Sequence, residues 1–174
     1  MSLLAGEGHP DSYKHTREHH QWIAERLNPN HVAKLKQLPR IIEKQVNDTR
    51  ILGIHYHIEE NKRHAHIQDE PFYTIQEATL ENMQHMFSAY PADIICFGHH
   101  HPEHDFQADG KMYLNPGALG VSKGETAPYG IIDLTGNEPN ITIHHVAYDK
   151  KAFLEKFDRL QVPQRETLFK LFYT

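Results

Sequence analysis

The chain has 174 residues, enough for one domain with a real core, a formal charge of −5 and 39% hydrophobic residues. The mild negative charge without a basic stripe argues against a nucleic-acid groove, and no apolar run approaches the roughly 18 residues of a membrane span. Cys96 is the single cysteine. It excludes an internal disulfide and, with no secretory pattern at the start, points to a reducing, cytoplasmic setting. Inside an apolar run it reads as a small buried hydrophobe.

Residues 1–8 carry no structural signal, and Met1-Ser2-Leu3 reads equally as a native or an added start. Pro10-Asp11-Ser12 offers caps for a helix over residues 13–27, on which Trp22, Ile23 and Leu27 share a face. Asn28-Pro29-Asn30 breaks it, and Val32, Leu35 and Leu38 mark a second short helix ended by Pro39. His15 and His19 stand four apart on the first helix, without the intervening glutamate of a His-Glu-x-x-His site. With His20 they read as solvated helix residues.

Residues 40–46 read as a strand, Asn47-Asp48 as a tight turn, and residues 50–57 as the hairpin partner. Ile51, Leu52 and Ile54 lead into His55, Tyr56 and His57, so two histidines compete for one role at the end of that strand. Residues 59–71 are polar and read as an exposed loop that reaches over a site, His64-x-His66 being a feature of the loop. Residues 76–90 form the clearest helix, with Leu80, Met83, Met86 and Phe87 on one packing face and Pro91 closing it. A strand over residues 92–97 follows, and its apolar run without alternation predicts that both faces are covered.

That strand runs into Gly98-His99-His100-His101-Pro102. A glycine at a strand exit lets the chain turn so that two histidines one residue apart face one point. His99 and His101 therefore aim at one metal or at two neighbouring ones, and imidazole suits zinc, manganese, iron and nickel. Residues 103–110 read as a polar turn, Met112-Tyr113-Leu114 as a short strand, and Asn115-Pro116-Gly117-Ala118 as the loop after it. Residues 121–128 read as a loop, 129–134 and 141–148 as strands joined at Gly136-Asn137, 151–160 as a helix, and the chain after Pro163 as a short helix ending at Thr174. Of His144 and His145, one faces solvent and one faces inward, neither towards a metal. Nothing repeats internally.

The order strand-His55, helix, strand-Gly98-His99-x-His101 and strand-Asn115-Pro116-Gly117 resembles the C-terminal half of the calcineurin-like metallophosphoesterases, particularly the small bacterial phosphodiesterase and phosphatase branch. The family pattern reads Gly-His-Thr-His-x-Pro and Asn-Pro-Gly-Ser; here His100 stands for Thr and Ala118 for Ser, and neither change removes a ligand. The resemblance implies an α+β fold, the second half of a four-layer α-β-β-α sandwich with a mostly mixed sheet and flanking helices. Residues 1–174 would form a single partial domain: a helical lead-in over 1–39, the sheet with its metal-ligand loops over 40–149, and C-terminal helices over 150–174.

It also implies hydrolysis of a phosphate mono- or diester by water activated at two divalent metal ions, manganese first, with iron, zinc or nickel as alternatives. Carried over by position, His55 and His99 bind one ion and His101 the other, with His57 the fallback for His55; His57, His100 and Asn115 are the substrate-contact expectations, and no catalytic residue is assigned. The Asp-x-His, Gly-Asp and Gly-Asn-His ligands of the family have no counterpart in this sequence. The expectation is thus a truncated phosphoesterase with weak or no activity alone, the alternative being a non-catalytic remnant or binding module. Its partners would be a phosphorylated small molecule or nucleotide, with neither membrane nor nucleic acid, and self-association through a bared sheet face.

Overall fold

The structure is a computed structural model describing residues 2–6 and 8–173, so Met1, Glu7 and the end of the last helix at Thr174 lie outside it. After a short helix α1 (Ser2–Ala5), a 3₁₀ turn at Asp11–Thr16 leads into α2 (Arg17–Arg26), and α3 (Pro29–Lys36) follows. Asn28 caps α3 by accepting from the Asn30 amide, with Pro29 in the first helical turn, where its missing N–H costs nothing.

The main sheet has five strands in the order β1-β2-β3-β5-β4, where β1 is Ile41–Val46, β2 Thr49–Ile54, β3 Ile94–Cys96, β4 His104–Ala108 and β5 Lys111–Asn115. β2, β3 and β5 run parallel; β1 and β4 close the two edges antiparallel to their neighbours. The sheet is therefore mixed and flanked by helices, as expected. A second sheet is the hairpin of β6 (Thr126–Asp133) and β7 (Asn140–Ala147), followed by α5 (Lys150–Arg159) and α6 (Arg165–Phe172).

One face of the main sheet meets α4 (Leu80–Met86) and the residues after it. Leu52, Ile54, Ile95 and Tyr113 from the strands bury against Met83, Met86, Phe87 and Tyr90. Phe87 is at the middle, its ring 5.1 Å from Phe97 and 6.0 Å from Tyr90. On the other face the hairpin approaches closely enough that a Cβ at Gly130 would lie 3.0 Å from Leu114. The hairpin leaves the outer part of that face uncovered: Ile42 is 49% exposed and Val46 38%. These two alternate with Glu43 and Gln45 and share the side of Gly53, which pairs with Ile42.

Several elements differ from the sequence expectation, among them the first helix, which is α-helical only from Arg17. The helix expected over 76–90 is only Leu80–Met86, because Thr79 caps it through the Asn82 amide while the Gln76 amide is held extended by the Tyr56 hydroxyl. The polar turn expected over 103–110 is mostly strand β4: His104, Phe106 and Ala108 turn inward between exposed Asp105 and Gln107, and only Asp109-Gly110 makes the turn, both at positive φ. β2 ends at Ile54, so residues 55–57 are beyond the ladder. β6 begins at Thr126, three residues earlier than the expected start at Tyr129. No described helix is long and apolar enough to cross a membrane.

Candidate metal centre

Parallel pairing brings the exits of β2 and β3 to one edge, with Gly53 opposite Cys96 as the last pair. Beyond the ladder, the Gly98 amide donates to the His55 carbonyl at 2.9 Å and keeps the two exits in register. The His100 amide then donates back to the Gly98 carbonyl at 2.8 Å, closing a γ-turn on His99, whose φ is 69°. This left-handed bend swings the His99 ring onto His55: Nδ1 of His99 lies 3.2 Å from Nε2 of His55, with ring centroids 5.0 Å apart at 72°. Phe72 packs on both rings, at 5.0 and 5.4 Å, and Tyr56 lies 5.4 Å from His99.

The other expected residues fall elsewhere. His101 is exposed, lines a cavity together with His99 and lies 5.9 Å from the Phe172 ring. His57 points into an aromatic box of Tyr73, Phe87 and Tyr90, so it is His55 that reaches His99. His100 turns to the opposite side from its neighbours, its ring 5.0 Å from His104, with Nδ1 buried and without a described partner. Asn115 is fully buried, which takes it out of reach of a bound substrate.

Asn115 instead holds the histidine loop. Its Nδ2 donates to the His100 carbonyl and to the Pro102 carbonyl at 3.1 Å, while its Oδ1 accepts from the Gly117 amide at 3.0 Å. His104, 1% exposed, adds a bond from Nδ1 to the same Pro102 oxygen at 2.8 Å. A carbonyl only accepts, so Nδ1 carries the hydrogen and the 3.1 Å approach of Asn115 Nδ2 is a contact between two donors sharing one oxygen. Nε2 of His104 is left as a buried acceptor without a described partner. Sequence reading passed over His104; the alternation His104-x-Phe106-x-Ala108 before Asp109-Gly110 was the available signal.

Burial lowers the pKa of both His55 and His99 below the ordinary 6.5, helped at His55 by His101 and at His99 by His55, His101 and His100. His100 and His104 are lowered in the same way, by burial first and then by a histidine neighbour. At neutral pH these rings are uncharged, the form that binds metals. Cys96 is half-buried rather than fully buried as expected, and desolvation raises its thiol.

The cavity beside His99 and His101 has a volume of about 870 Å³. Its far wall carries His9 and His20, joined Nε2 to Nδ1 at 2.9 Å. His20 is thus half-buried in a pair instead of solvated as expected, and half-buried His19 stacks on Trp22 at 6.4 Å; His15 is exposed. On the second sheet His144 is half-buried and stacks on Tyr129, whereas exposed His145 pairs with Glu103 at 2.6 Å.

Two nitrogens bonded to one ion at about 2.1 Å stand roughly 3.0–3.4 Å apart for right-angle to tetrahedral bonds, so the 3.2 Å between His55 and His99 suits one shared ion. The fit stops there. Among the described residues no three His, Cys, Asp or Glu side chains converge as a metal site, and two adjacent divalent ions need anionic ligands that neutral imidazoles do not supply.

A mixed sheet with histidines gathered at the exits of its parallel strands is the arrangement of a metal-binding hydrolase fold. Residues 25–137 match the calcineurin-like phosphoesterase superfamily domain, and the chain belongs to that superfamily. The structure of a hypothetical protein from Pyrococcus horikoshii superposes with a TM-score of 0.72 at 15% identity, over 99% of this chain and 64% of its own. A metallophosphoesterase from Sphaerobacter thermophilus superposes with a TM-score of 0.61 at 18% identity, over 85% of this chain and 64% of its own. The chain thus matches less than two thirds of the length of either, and the likeness is one of fold. No curated protein matches it in sequence.

Asn115→Ala removes the donor of two carbonyls in a dry site, and we expect unfolding in urea to lose about 1–3 kcal/mol; an unchanged midpoint would show that the loop stands without the clamp. His55, His99, His100 and His104, whose pKa values are lowered, also set a pH dependence. Their folded pKa values lie below the unfolded value of 6.5, so below that pH the unfolded chain binds more protons. Stability of the metal-free chain is then full above pH 6.5 and falls as the pH drops towards the folded values, read as a lower urea midpoint at pH 5.5 than at 7.5; a higher midpoint at 5.5 would contradict it.

Proposed function

We propose that this chain carries the histidine half of a metal-dependent phosphoesterase, hydrolysing a phosphate mono- or diester with water as the nucleophile. The observation behind it is the 3.2 Å meeting of His55 Nε2 and His99 Nδ1 at the carboxyl ends of adjacent parallel strands, where α/β sheets place their ligands. In this reading His55 and His99 hold one divalent ion, manganese or another ion that imidazole suits, and His101 stands on the cavity wall to meet a second ion or the phosphoryl oxygens. What such an ion supplies when bound is charge against a phosphoryl oxygen and acidification of water. Phe72 and Tyr56 fix the rings and exclude water behind them. The carboxylates that a two-ion centre needs come from outside this sequence, so the chain alone has little activity.

A second reading, a binding module without a working centre, draws on the lack of any convergent three-ligand set among the described residues. Manganese or zinc titration by calorimetry separates the two. The phosphoesterase reading expects one ion per chain, with affinity falling about 100-fold or more in His55→Ala and in His99→Ala, since even indirect support of a ligand is worth 10–100-fold. No saturable binding, or binding indifferent to both substitutions, favours the module. Adding a segment that bears carboxylate ligands should then give hydrolysis of an aryl phosphate diester.

We also propose that the sheet face left open at Ile42 and Val46 is covered by a second copy of the chain, because these exposed apolar side chains stand on either side of Lys44 on an edge strand whose outer backbone groups are open to pairing. Light scattering of the wild type should report dimers that Ile42→Lys with Val46→Lys converts to monomers; a wild-type monomer would rule the contact out.

A further inference from the structure

The cavity of about 870 Å³ that opens at His99 and His101 has a lopsided chemistry. Its walls are largely apolar, with Ile23, Phe72, Tyr73, Ile75 and Phe172 among them. Among the described residues lining it there is no lysine or arginine. Its one carboxylate, Glu70, is engaged with the Ser12 amide at 2.8 Å. The imidazole of His20 opposite adds no charge near neutral pH, because its pKa is lowered by burial first and then by His9 and His19.

We propose that the ester taken up here bears a single phosphoryl group attached to a bulky apolar group, aromatic rings included. This rests on the phosphoesterase reading above and deepens it. The phosphoryl group belongs at the His99 and His101 end, where an ion would compensate its charge. A second phosphate, as in a nucleoside diphosphate, would have to lie along walls without a cation and would lose its water without a partner. An apolar group gains by burial along those same walls, and the volume is in the range of pockets that enclose such molecules. Ile23 and Ile75, each 45% exposed, form the rim through which it enters.

The test compares 1-naphthyl phosphate, 1-naphthol and ADP, their binding to the purified chain followed by naphthyl fluorescence or by calorimetry, with and without manganese. The expected result is measurable naphthol binding in the metal-free chain, and naphthyl phosphate binding at least about tenfold tighter than ADP when manganese is present. Ile23→Arg and Ile75→Arg, both at exposed positions and checked for an unchanged circular dichroism spectrum, should weaken naphthyl phosphate about tenfold and narrow or reverse the preference over ADP. Equal affinities for naphthyl phosphate and ADP, indifference to both arginines, or naphthol binding that fades as the chain is concentrated and the cavity closes between copies would each overturn it. Selective naphthyl binding with no hydrolysis after a carboxylate-bearing segment is added leaves this inference standing and removes the phosphoesterase reading, so the two failures are distinct.

Discussion

The hydrogen bond from the Gly98 amide to the His55 carbonyl, at 2.9 Å, is the constraint on which the histidine site depends. β2 and β3 are parallel and lie 40 residues apart in sequence, so their exits coincide only because Ile51, Leu52 and Gly53 pair with Ile94, Ile95 and Cys96. The register is fixed by burial: a one-residue slip would turn Leu52, Ile54 and Ile95 away from Met83 and Phe87 and put the opposite face into the core. The aromatic rings of Tyr73, Phe87 and Tyr90 hold His57, and it is His55 that reaches His99. The meeting of the two histidines is set by packing some distance behind it.

The bend at His99 works against the backbone. A non-glycine residue in the left-handed region costs of order 1–3 kcal/mol and persists only where its surroundings over-determine it. Here the surroundings are the Asn115 and His104 bonds to the carbonyls of His100 and Pro102, together with the Gly117 amide on Asn115. At about 0.5–1.5 kcal/mol net for each buried bond, four of them offset the strain. Gly117 itself, at φ 92°, admits no side chain, since a Cβ there would lie 3.1 Å from Pro128 and 3.2 Å from Glu103. The strain sits on His99 and its compensation sits one layer below.

What could be read from the sequence follows from which signals are local. The run into Gly98 and the histidines is local, and so are the hairpins at Asn47-Asp48 and Gly136-Asn137; strands β2, β3, β5 and β7 were accordingly within reach. Strand β4 was hidden because its inward residues, His104, Phe106 and Ala108, include a histidine, so the segment reads as polar although His104 is buried. α4 was overextended because apolar Phe87 continues its period, while the Tyr56 hydroxyl that holds Gln76 extended comes from another element. The role of Asn115 was illegible for the same reason: an asparagine beside a ligand loop resembles a substrate contact until burial shows it facing carbonyls. The meeting of His9 with His20 across the cavity is tertiary throughout.

These features share one electrostatic logic. Burial and mutual proximity keep His55 and His99 uncharged, so this edge of the sheet has nitrogen donors without a cation of its own, and among its described lining residues the cavity beside it has no lysine or arginine either. An anion entering such a place would give up its hydration for nothing unless a cation were held by the nitrogens. Conversely, a divalent ion on neutral imidazoles retains its full charge, and in a cavity of low dielectric that charge acts on an ester far more strongly than in water. The absence of lysine and arginine from the described walls concentrates attraction at the His99 end and leaves the remainder selective for apolar surface. Binding and orientation then come from two separate forces at the two ends of one molecule, a division that a cation-lined cavity could not provide.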